Sequence, residues 1–280
     1  MPSETMINKP KKSIRVSVNR FFSRYLGKTA FYTFLLGVSE FSIFSWNIIR
    51  SSRKMTFSHM DAFLRVVINQ IKFTGAKALP LLSIISLTLG ASTIIQAVTF
   101  LPKFGQDDFI GNLLKLVIVR EVGPLITAIV VLTRSGSAIA SEMATQKLHR
   151  EIEAIELMGI NPNLLMIMPR IIAGIVSVSL LIVYFDFVAF LGGYMIANMV
   201  SSFPFSTFLE HLLKSLAITD ILSSQIKALV CGITIPLVCS YYGLKPNTLF
   251  EIPIFVSKAV VRSLFSVFLL TGLISVVFYL

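Results

Sequence analysis

The sequence predicts an all-α integral membrane protein, and its composition and apolar runs carry that prediction. The 280 residues have a mean hydropathy of +0.81, and only 14% of them are charged. A soluble domain has about a quarter charged residues. Several apolar runs reach the roughly 20 residues that a helix needs to cross a bilayer. Because helices satisfy their own backbone hydrogen bonds in lipid, we expect an N-terminal interfacial amphipathic helix, about five transmembrane helices and a cytoplasmic coupling helix.

The positive charge is concentrated at the start of the chain. The formal net charge is +11, and 13 of the 25 Lys and Arg residues lie between Lys9 and Lys77, against three acids before residue 78. This excess is typical of a cytoplasmic flank attracted to anionic lipid, and we expect no nucleic acid partner. Residues 1–28 are therefore predicted to form a basic cytoplasmic tail. They lead into no short apolar core with a small-residue cleavage site, so no signal peptide is expected.

Residues 29–76 are predicted to form interfacial helices that lead into the membrane domain. The apolar segment 29–49 carries a weakly polar stripe at helical spacing, and its Trp46 is suited to the membrane surface. This segment is either an interfacial helix or a true span, in which Glu40 would be costly at mid-bilayer. The segment 57–73 has one apolar face and one charged face, which predicts a second interfacial or span-leading helix.

Five apolar segments of the remaining domain, residues 77–280, are predicted to span the membrane. They are residues 79–101, 113–141, 165–199, 221–242 and 253–280. The connections 102–112 and 200–220 are poor in Lys and Arg and are predicted to be external polar loops. With the basic N-terminus inside, five spans place residues 143–163 inside and the C-terminus outside.

A short charged segment separates the second and third predicted spans. It predicts one helix over residues 145–158, which the glycine at position 159 and the proline at position 162 terminate. Its apolar stripe consists of Leu148, Ile152 and Ile155, and its charged residues are Lys147, His149, Arg150, Glu153 and Glu156. Such a charged face is either simply solvated or the surface on which a soluble partner docks.

Among the charged residues inside predicted spans, we single out four, because charges there are rare and face a cavity or each other. Arg120 and Glu121 are adjacent, near the outer end of the second span. Arg134 lies about four turns deeper, and Asp186 lies near the middle of the third span. The first two are either cavity residues or boundary residues. The deeper two are interpreted as structural charges, with Arg134–Asp186 and Arg134–Glu142 as the possible pairs.

The sequence carries no motif for catalysis or nucleotide binding. The patterns G-x-x-x-x-G-K-[ST], HExxH, GxSxG and CxxC do not occur, and the three histidines match no metal site. Cys231 and Cys239 lie eight residues apart in one apolar run and suggest neither a metal site nor a disulfide. We therefore expect no cofactor, no metal and no ATP site in this chain.

One continuous motif runs from Arg120 to Arg170. It contains RE-V-GP-L-ITA, R-S-GSAIA-S-E-M-A-T, EIEAIE-L-MGI-NP and a closing PR. This run resembles the signature of the MlaE-type permeases of ABC lipid transporters. The resemblance extends over roughly residues 57–280, and its other matching positions are Gly75, Pro80, Gly90, Gly105, Asp186, the run 190–194 and the run 242–244.

The resemblance implies a transport subunit rather than an enzyme. It implies a homodimeric, multi-pass permease in the inner (cytoplasmic) membrane, which moves phospholipid or a related lipid. Its expected partners are two ATPase subunits, which would bind ATP and Mg, and an MCE-domain lipid-binding protein outside. In this interpretation Arg120 and Glu121 line the lipid cavity, and Arg134 and Asp186 hold the spans in register. Lys147, His149, Arg150, Glu153 and Glu156 couple the permease to the ATPase.

Two other classes of function stay open on the sequence alone. A secondary transporter would couple Asp186 to protons, and it would work in purified vesicles without ATP. A membrane-embedded enzyme acting on lipid would use Glu121 or Asp186 as a base, and this chain alone would then convert labelled lipid.

Overall fold

The computed structural model describes residues 40–46, 48, 60–100, 110–159, 161–200 and 204–279. The chain divides into two compact units, Met1–Ile49 and Arg50–Leu280. In the first unit, residues 40–46 form a helix, and most of the predicted interfacial segment 29–49 lies outside the described residues. All regular structure in the described residues is helical, without a strand, which confirms the predicted all-α class.

Five helices of the second unit are long and apolar enough to cross a membrane, as predicted. They cover Phe63–Ala97, Gly111–Leu148, Asn163–Ile196, Ile218–Gly243 and Leu249–Tyr279, and they are called the first to fifth spans below. The first span begins earlier than predicted. Its helix Met60–Thr74 continues through the tight turn Ala76–Ala78 into the helix Leu79–Phe100. The described part of the amphipathic segment, from Met60 onward, therefore leads directly into the first span.

The second span alternates between α-helical and π-helical geometry. Its bounds in chain order are Ile110–Leu114 (α), Lys115–Val122 (π), Gly123–Val131 (α), Leu132–Gly136 (π) and Ser137–Leu148 (α). The two π-helical segments contain Arg120, Glu121 and Arg134. A π-helix bonds each N–H to the fifth preceding carbonyl. Such segments are rare, and they frequently lie at functional sites.

The prediction of one helix over 145–158 is wrong. The second span continues to Leu148, Arg150 then takes the left-handed conformation with φ 60°, and a separate helix covers Glu151–Leu157. A left-handed residue cannot continue an α-helix, so the chain changes direction at Arg150. The new helix, called the docking helix below, ends just before Gly159, whose φ of 76° is that of the predicted glycine terminator.

The prediction of a polar loop over 200–220 is also wrong. This stretch contains the helix Phe205–Ser215, called the connecting helix below, and the fourth span begins at Ile218. Phe208 and Leu212 bury one face of the connecting helix. The Tyr194 ring lies 5.0 Å from the Phe208 ring, between centroids. Apolar residues at i and i+4 thus form a helix here despite the polar residues between them.

Each of the remaining three spans is one continuous helical stretch. The third span begins with the π-helical segment Asn163–Ile167 and continues as the helix Met168–Val200. The fourth span keeps Pro236 inside its helix. The fifth span begins with the tight turn Leu249–Glu251, which leads into the uninterrupted helix Ile252–Tyr279.

The spans pack through glycines, where backbones approach closely. The first span packs on the third, and the third packs on the fourth. A Cβ atom added to Gly90 would lie 2.2 Å from the carbonyl oxygen of Ala189. A Cβ atom added to Gly232 would lie 2.7 Å from the Cα atom of Ile175.

Two sets of contacts place the connections at opposite ends of the bundle. Lys147, at the end of the second span, contacts residues 245–247, so the docking helix adjoins the connection between the fourth and fifth spans. The connecting helix packs against Ile110–Leu114 at the other end. Tyr279 reaches the same end, where it contacts Arg120. This arrangement is the one that five successive crossings require.

Candidate functional site

A charged cluster lies between the spans and consists of Lys115, Arg120, Glu121, Asp220 and Lys227. Asp220 is the centre of one half of this cluster. Its carboxylate accepts a hydrogen bond of 3.1 Å from the Ala217 N–H, which fixes the side chain at the start of the fourth span. The Lys115 Nζ atom lies 3.7 Å from Asp220 Oδ2, and the Arg120 Nε atom lies 3.5 Å from Asp220 Oδ1. The Arg120 Nε atom makes no hydrogen bond there, so this contact is an ion pair by distance only.

Lys227 is the centre of the other half. It lies two turns further along the fourth span, and only 1% of its side chain is exposed. Its ammonium group donates to Glu121 Oε1 over 3.1 Å and also donates to the Arg120 carbonyl oxygen. Since a buried ammonium group needs both a counter-charge and hydrogen-bond acceptors, these two contacts explain how the protein holds Lys227 in an apolar helix.

The fifth span closes the cluster from a third side. The Ser275 hydroxyl donates to Glu121 over 2.8 Å to Oε1 and 3.0 Å to Oε2. The Arg120 guanidinium lies over the Tyr279 ring, 3.0 Å from its centroid. The Tyr279 hydroxyl lies 2.5 Å from the Ser223 hydroxyl of the fourth span. Residues of the second, fourth and fifth spans therefore meet at one level of the bundle.

The charges of this cluster do not cancel. Lys115, Arg120 and Lys227 contribute three positive charges, and Glu121 and Asp220 contribute two negative charges, which leaves a net charge of +1. Asp220 is buried, whereas the Glu121 side chain is 48% exposed. The cluster thus has a closed half around Asp220 and an open half around Glu121. Lys227 and Glu121 balance each other, so the surplus positive charge lies with Lys115 and Arg120 around Asp220, and one anionic group bound beside Arg120 would balance it.

The structure brings together the two predicted cavity residues, Arg120 and Glu121, and adds three partners that the sequence analysis missed. Lys227 had a readable signal, because it is a single cation within an apolar run of spanning length. Asp220 was assigned to a loop, because the start of the fourth span was predicted three residues too late. Lys115 was assigned only to the second span, and its pairing depends on tertiary structure.

The two deeper charges are not paired with each other in the described residues. Arg134 is exposed on the second span and has no ion pair there. Glu142 instead pairs with Arg170 over 2.9 Å. The Oδ1 atom of Asp186 is buried without a hydrogen-bond partner, beside Gly123. The structural role of Arg134 and Asp186 stays a prediction, and neither residue touches the charged cluster by an ion pair.

At the opposite end of the bundle, the docking helix lies at the surface, next to the end of the second span, and Ile152 and Ile155 are half-buried. None of its seven residues is buried, and Glu153 and Glu156 are exposed. His149 and Arg150, which precede it, are also exposed. The helix ends at Leu157, which is 89% exposed, and the residue that follows it, Met158, is also exposed. An apolar pair beside acidic residues on an uncovered helix is typical of a surface that a partner covers.

Lys147 is the exception among the five predicted coupling residues. Its ammonium group points to the connection between the fourth and fifth spans, where it donates to the Pro246 carbonyl over 2.8 Å and to Asn247 Oδ1 over 3.1 Å. The structure therefore separates Lys147 from the exposed face that carries Glu153 and Glu156.

The fold and the charged cluster define a multi-pass α-helical membrane protein whose charges are held between its spans, as in transport proteins. Residues 67–277 match the family Permease MlaE, and the chain belongs to this permease family. It is therefore a permease subunit, which agrees with the resemblance carried by the motif 120–170.

Named relatives of the chain are permeases from bacteria and a plastid protein. It is 29% identical over 210 residues to a probable ABC transporter permease protein of Rickettsia prowazekii, covering 75% of this chain and 79% of that protein. It is 25% identical over 179 residues to the intermembrane phospholipid transport system permease protein MlaE of Haemophilus influenzae, covering 64% and 69%. It is 28% identical over 216 residues to the chloroplastic protein TRIGALACTOSYLDIACYLGLYCEROL 1 of Arabidopsis thaliana, covering 77% and 62%.

Proposed function

We propose that this chain is the membrane-spanning subunit of an ABC transporter that moves phospholipid, and that the charged cluster receives the lipid head group. The observation that carries the proposal is the net charge of +1 of the cluster, which Lys115 and Arg120 together leave around the single carboxylate of Asp220. A phosphate group next to Lys115 and Arg120 would supply the missing negative charge. The name of the Haemophilus influenzae relative, an intermembrane phospholipid transport system permease protein, supports phospholipid as the substrate class.

The remaining parts of the proposal concern assembly. The names of the bacterial relatives support an ATPase partner, which would bind ATP and Mg. The exposed docking helix is the surface that we assign to this ATPase. We further propose a homodimer in the inner membrane, with an MCE-domain lipid-binding protein on the side of the charged cluster. ATP-driven closure of the ATPase subunits would push the docking helices, and the spans would alternately bind and release a lipid.

Replacing Arg120 with alanine is expected to weaken the capture of phospholipids with anionic head groups more than that of zwitterionic ones. The substitution lowers the net charge of the cluster from +1 to 0, and the attraction between two unit charges about 4 Å apart is worth roughly 1–4 kcal/mol between bulk water and a protein surface, which is about fivefold or more in binding. The measurement is native mass spectrometry of the purified complex incubated with equal amounts of phosphatidylglycerol and phosphatidylethanolamine.

The matched control for this experiment is Arg262→Ala. Arg262 is an exposed arginine of the fifth span and lies far from the cluster along the same helix that carries Ser275. It should leave the ratio of bound lipids at the wild-type value. The proposed head-group site would be wrong if Arg120→Ala lost both lipids equally, or if Arg262→Ala changed the ratio of bound lipids by the same amount.

Reversing the charge at Glu153 and Glu156 together is expected to abolish most of the ATP hydrolysis that lipid stimulates in the reconstituted complex. Both carboxylates are exposed on a helix without buried residues, so the change removes a contact surface and leaves the spans intact. Exposed charges contribute only about 0–1 kcal/mol to folding, and the permease should still insert and assemble. Glu210→Lys on the connecting helix, at the other end, is the control. Wild-type stimulation of ATP hydrolysis in the double variant would contradict the assignment of Glu153 and Glu156 to the ATPase contact.

A proton-coupled transporter is the second candidate, because Asp186 keeps one buried carboxylate oxygen without a hydrogen-bond partner. Lipid movement in vesicles that contain this chain and a proton gradient, but no ATPase, would favour that candidate and contradict the ABC assignment.

A further inference from the structure

The connection between the fourth and fifth spans is fastened to the end of the second span by one side chain. The Lys147 ammonium group donates to the carbonyl oxygen of Pro246 and to the side-chain oxygen of Asn247, and the carbonyl oxygen of Lys245 lies 3.5 Å away. Lys147 precedes by three residues the left-handed Arg150, at which the chain turns into the docking helix. A displacement of the docking helix therefore acts first on the residue that holds this connection.

The connection itself is closed by short local hydrogen bonds. The Asn247 N–H donates to Glu251 Oε2 over 2.9 Å, and the Glu251 N–H donates to the Thr248 carbonyl over 3.1 Å. The tight turn Leu249–Glu251 then leads without a break into the helix Ile252–Tyr279. A segment braced in this way moves together with the helix that follows it.

The helix Ile252–Tyr279 reaches from this connection to the charged cluster. Its 28 residues correspond to a rod of about 42 Å. At the far end, Ser275 donates to Glu121, and Tyr279 stacks on Arg120. The second span covers the same distance but contains two π-helical segments, one of which carries Arg120 and Glu121. The fifth span is therefore the more regular of the two helices that run from the docking-helix end of the bundle to the charged cluster.

We propose that Lys147 is a positioning residue that couples the docking helix to the charged cluster through the fifth span. This inference rests on the proposed function and names the path within it. Movement of the docking helix shifts Lys147 and the connection 245–247, and the fifth span carries the shift along its axis to Ser275 and Tyr279. There it changes the position of Glu121 and Arg120 relative to Lys227, because the π-helical segment that holds them can adjust its hydrogen bonds. Lys147 acts on the cluster through the fifth span and makes no contact with the lipid.

The first test compares Lys147→Met and Lys147→Arg in the complete complex with its co-purified ATPase, in vesicles of phosphatidylglycerol and phosphatidylethanolamine. We expect Lys147→Met to reduce the lipid-stimulated rate of ATP hydrolysis at least tenfold, while the affinity between permease and ATPase changes less than twofold. Lys147→Arg should restore most of the stimulation, since a guanidinium also donates to carbonyl oxygens. Lys258→Met is the control, because Lys258 is exposed on the fifth span and contacts only the Phe255 ring in the described residues.

The second test acts at the other end of the same helix and uses two serines in similar settings. Ser275 and Ser266 each donate to the carbonyl of the residue four positions earlier, but only Ser275 also reaches Glu121. Ser275→Ala should lower the stimulated rate several-fold, and Ser266→Ala should leave it at the wild-type value.

Three results distinguish a failure of this inference from a failure of the proposed function. Wild-type stimulation in Lys147→Met would overturn the inference and leave the proposed function standing. Loss of ATPase affinity in Lys147→Met would also overturn it, because Lys147 would then belong to the ATPase contact. Absence of lipid stimulation in the wild-type complex would instead contradict the proposed function itself.

Discussion

Replacing Gly90 with alanine is expected to force the first and third spans apart and to lower the yield of folded permease. The added Cβ atom would lie 2.2 Å from the carbonyl oxygen of Ala189 and 2.7 Å from its Cα atom. Both are backbone atoms, so no side chain can rotate away, and the helices must separate by more than an ångström. Overpacking of this kind costs about 1–3 kcal/mol and occasionally more. The measurement is the fraction of monodisperse protein after extraction in mild detergent, followed by its thermal stability.

Gly272→Ala is the matched control for Gly90→Ala. Gly272 also lies inside a membrane-spanning helix, but an added Cβ atom there meets no heavy atom within 4 Å. Alanine should be neutral or slightly stabilising at this position, because it restricts the unfolded chain without a clash. Equal yields of the two variants would show that the spans tolerate separation at Gly90, and the close packing of the first and third spans would then be unnecessary for the fold.

Replacing Lys227 with methionine is expected to abolish most of the lipid-stimulated ATP hydrolysis of the complex. Methionine has a similar length, but it removes the cation that pairs with Glu121 and the donor to the Arg120 carbonyl. Breaking a buried ion pair costs about 3–5 kcal/mol, and the half-exposed Glu121 lowers that cost here. The cluster would lose the counter-charge of Glu121. We expect a fall of at least tenfold in the stimulated rate.

A double variant distinguishes the effect of losing the Lys227–Glu121 ion pair from the effect of changing the packing at position 227. If the unpaired Glu121 carboxylate causes part of the defect, Lys227→Met combined with Glu121→Gln should assemble better than Lys227→Met alone. Lys214→Met is the control, because Lys214 is an exposed lysine on the connecting helix, in a surface pair with Glu210. The assignment of Lys227 fails if its methionine variant behaves like that of Lys214.

The number of spans could be predicted from the sequence because hydropathy over about 20 residues is a local property. The break at Arg150 could not, since the segment 145–158 has a continuous helical pattern and only the backbone angles show the left-handed residue. The connecting helix was missed for the opposite reason. Its polar residues suggested a loop, whereas Phe208 and Leu212 find partners only in the folded bundle.

The candidate site was predictable in part. Arg120 and Glu121 stood out because charges inside an apolar run are costly, and the same reasoning applies to Lys227. Which charges form pairs depends on the tertiary structure. Asp220 pairs with residues 100 or more positions earlier in the chain, and Lys147 bonds to a connection about 100 residues later. No spacing within a single helix contains that information.

The left-handed residue at Arg150 makes the docking helix a separate unit of folding. A helix of seven residues is well below the length at which isolated helices persist in water, and this one buries no residue of its own. We therefore expect a covering partner to add to the stability of this helix. In a permease without that partner, we expect this surface segment, with the exposed Leu157 and Met158 at its end, to open more often than the spans and to be an early site of proteolytic cleavage.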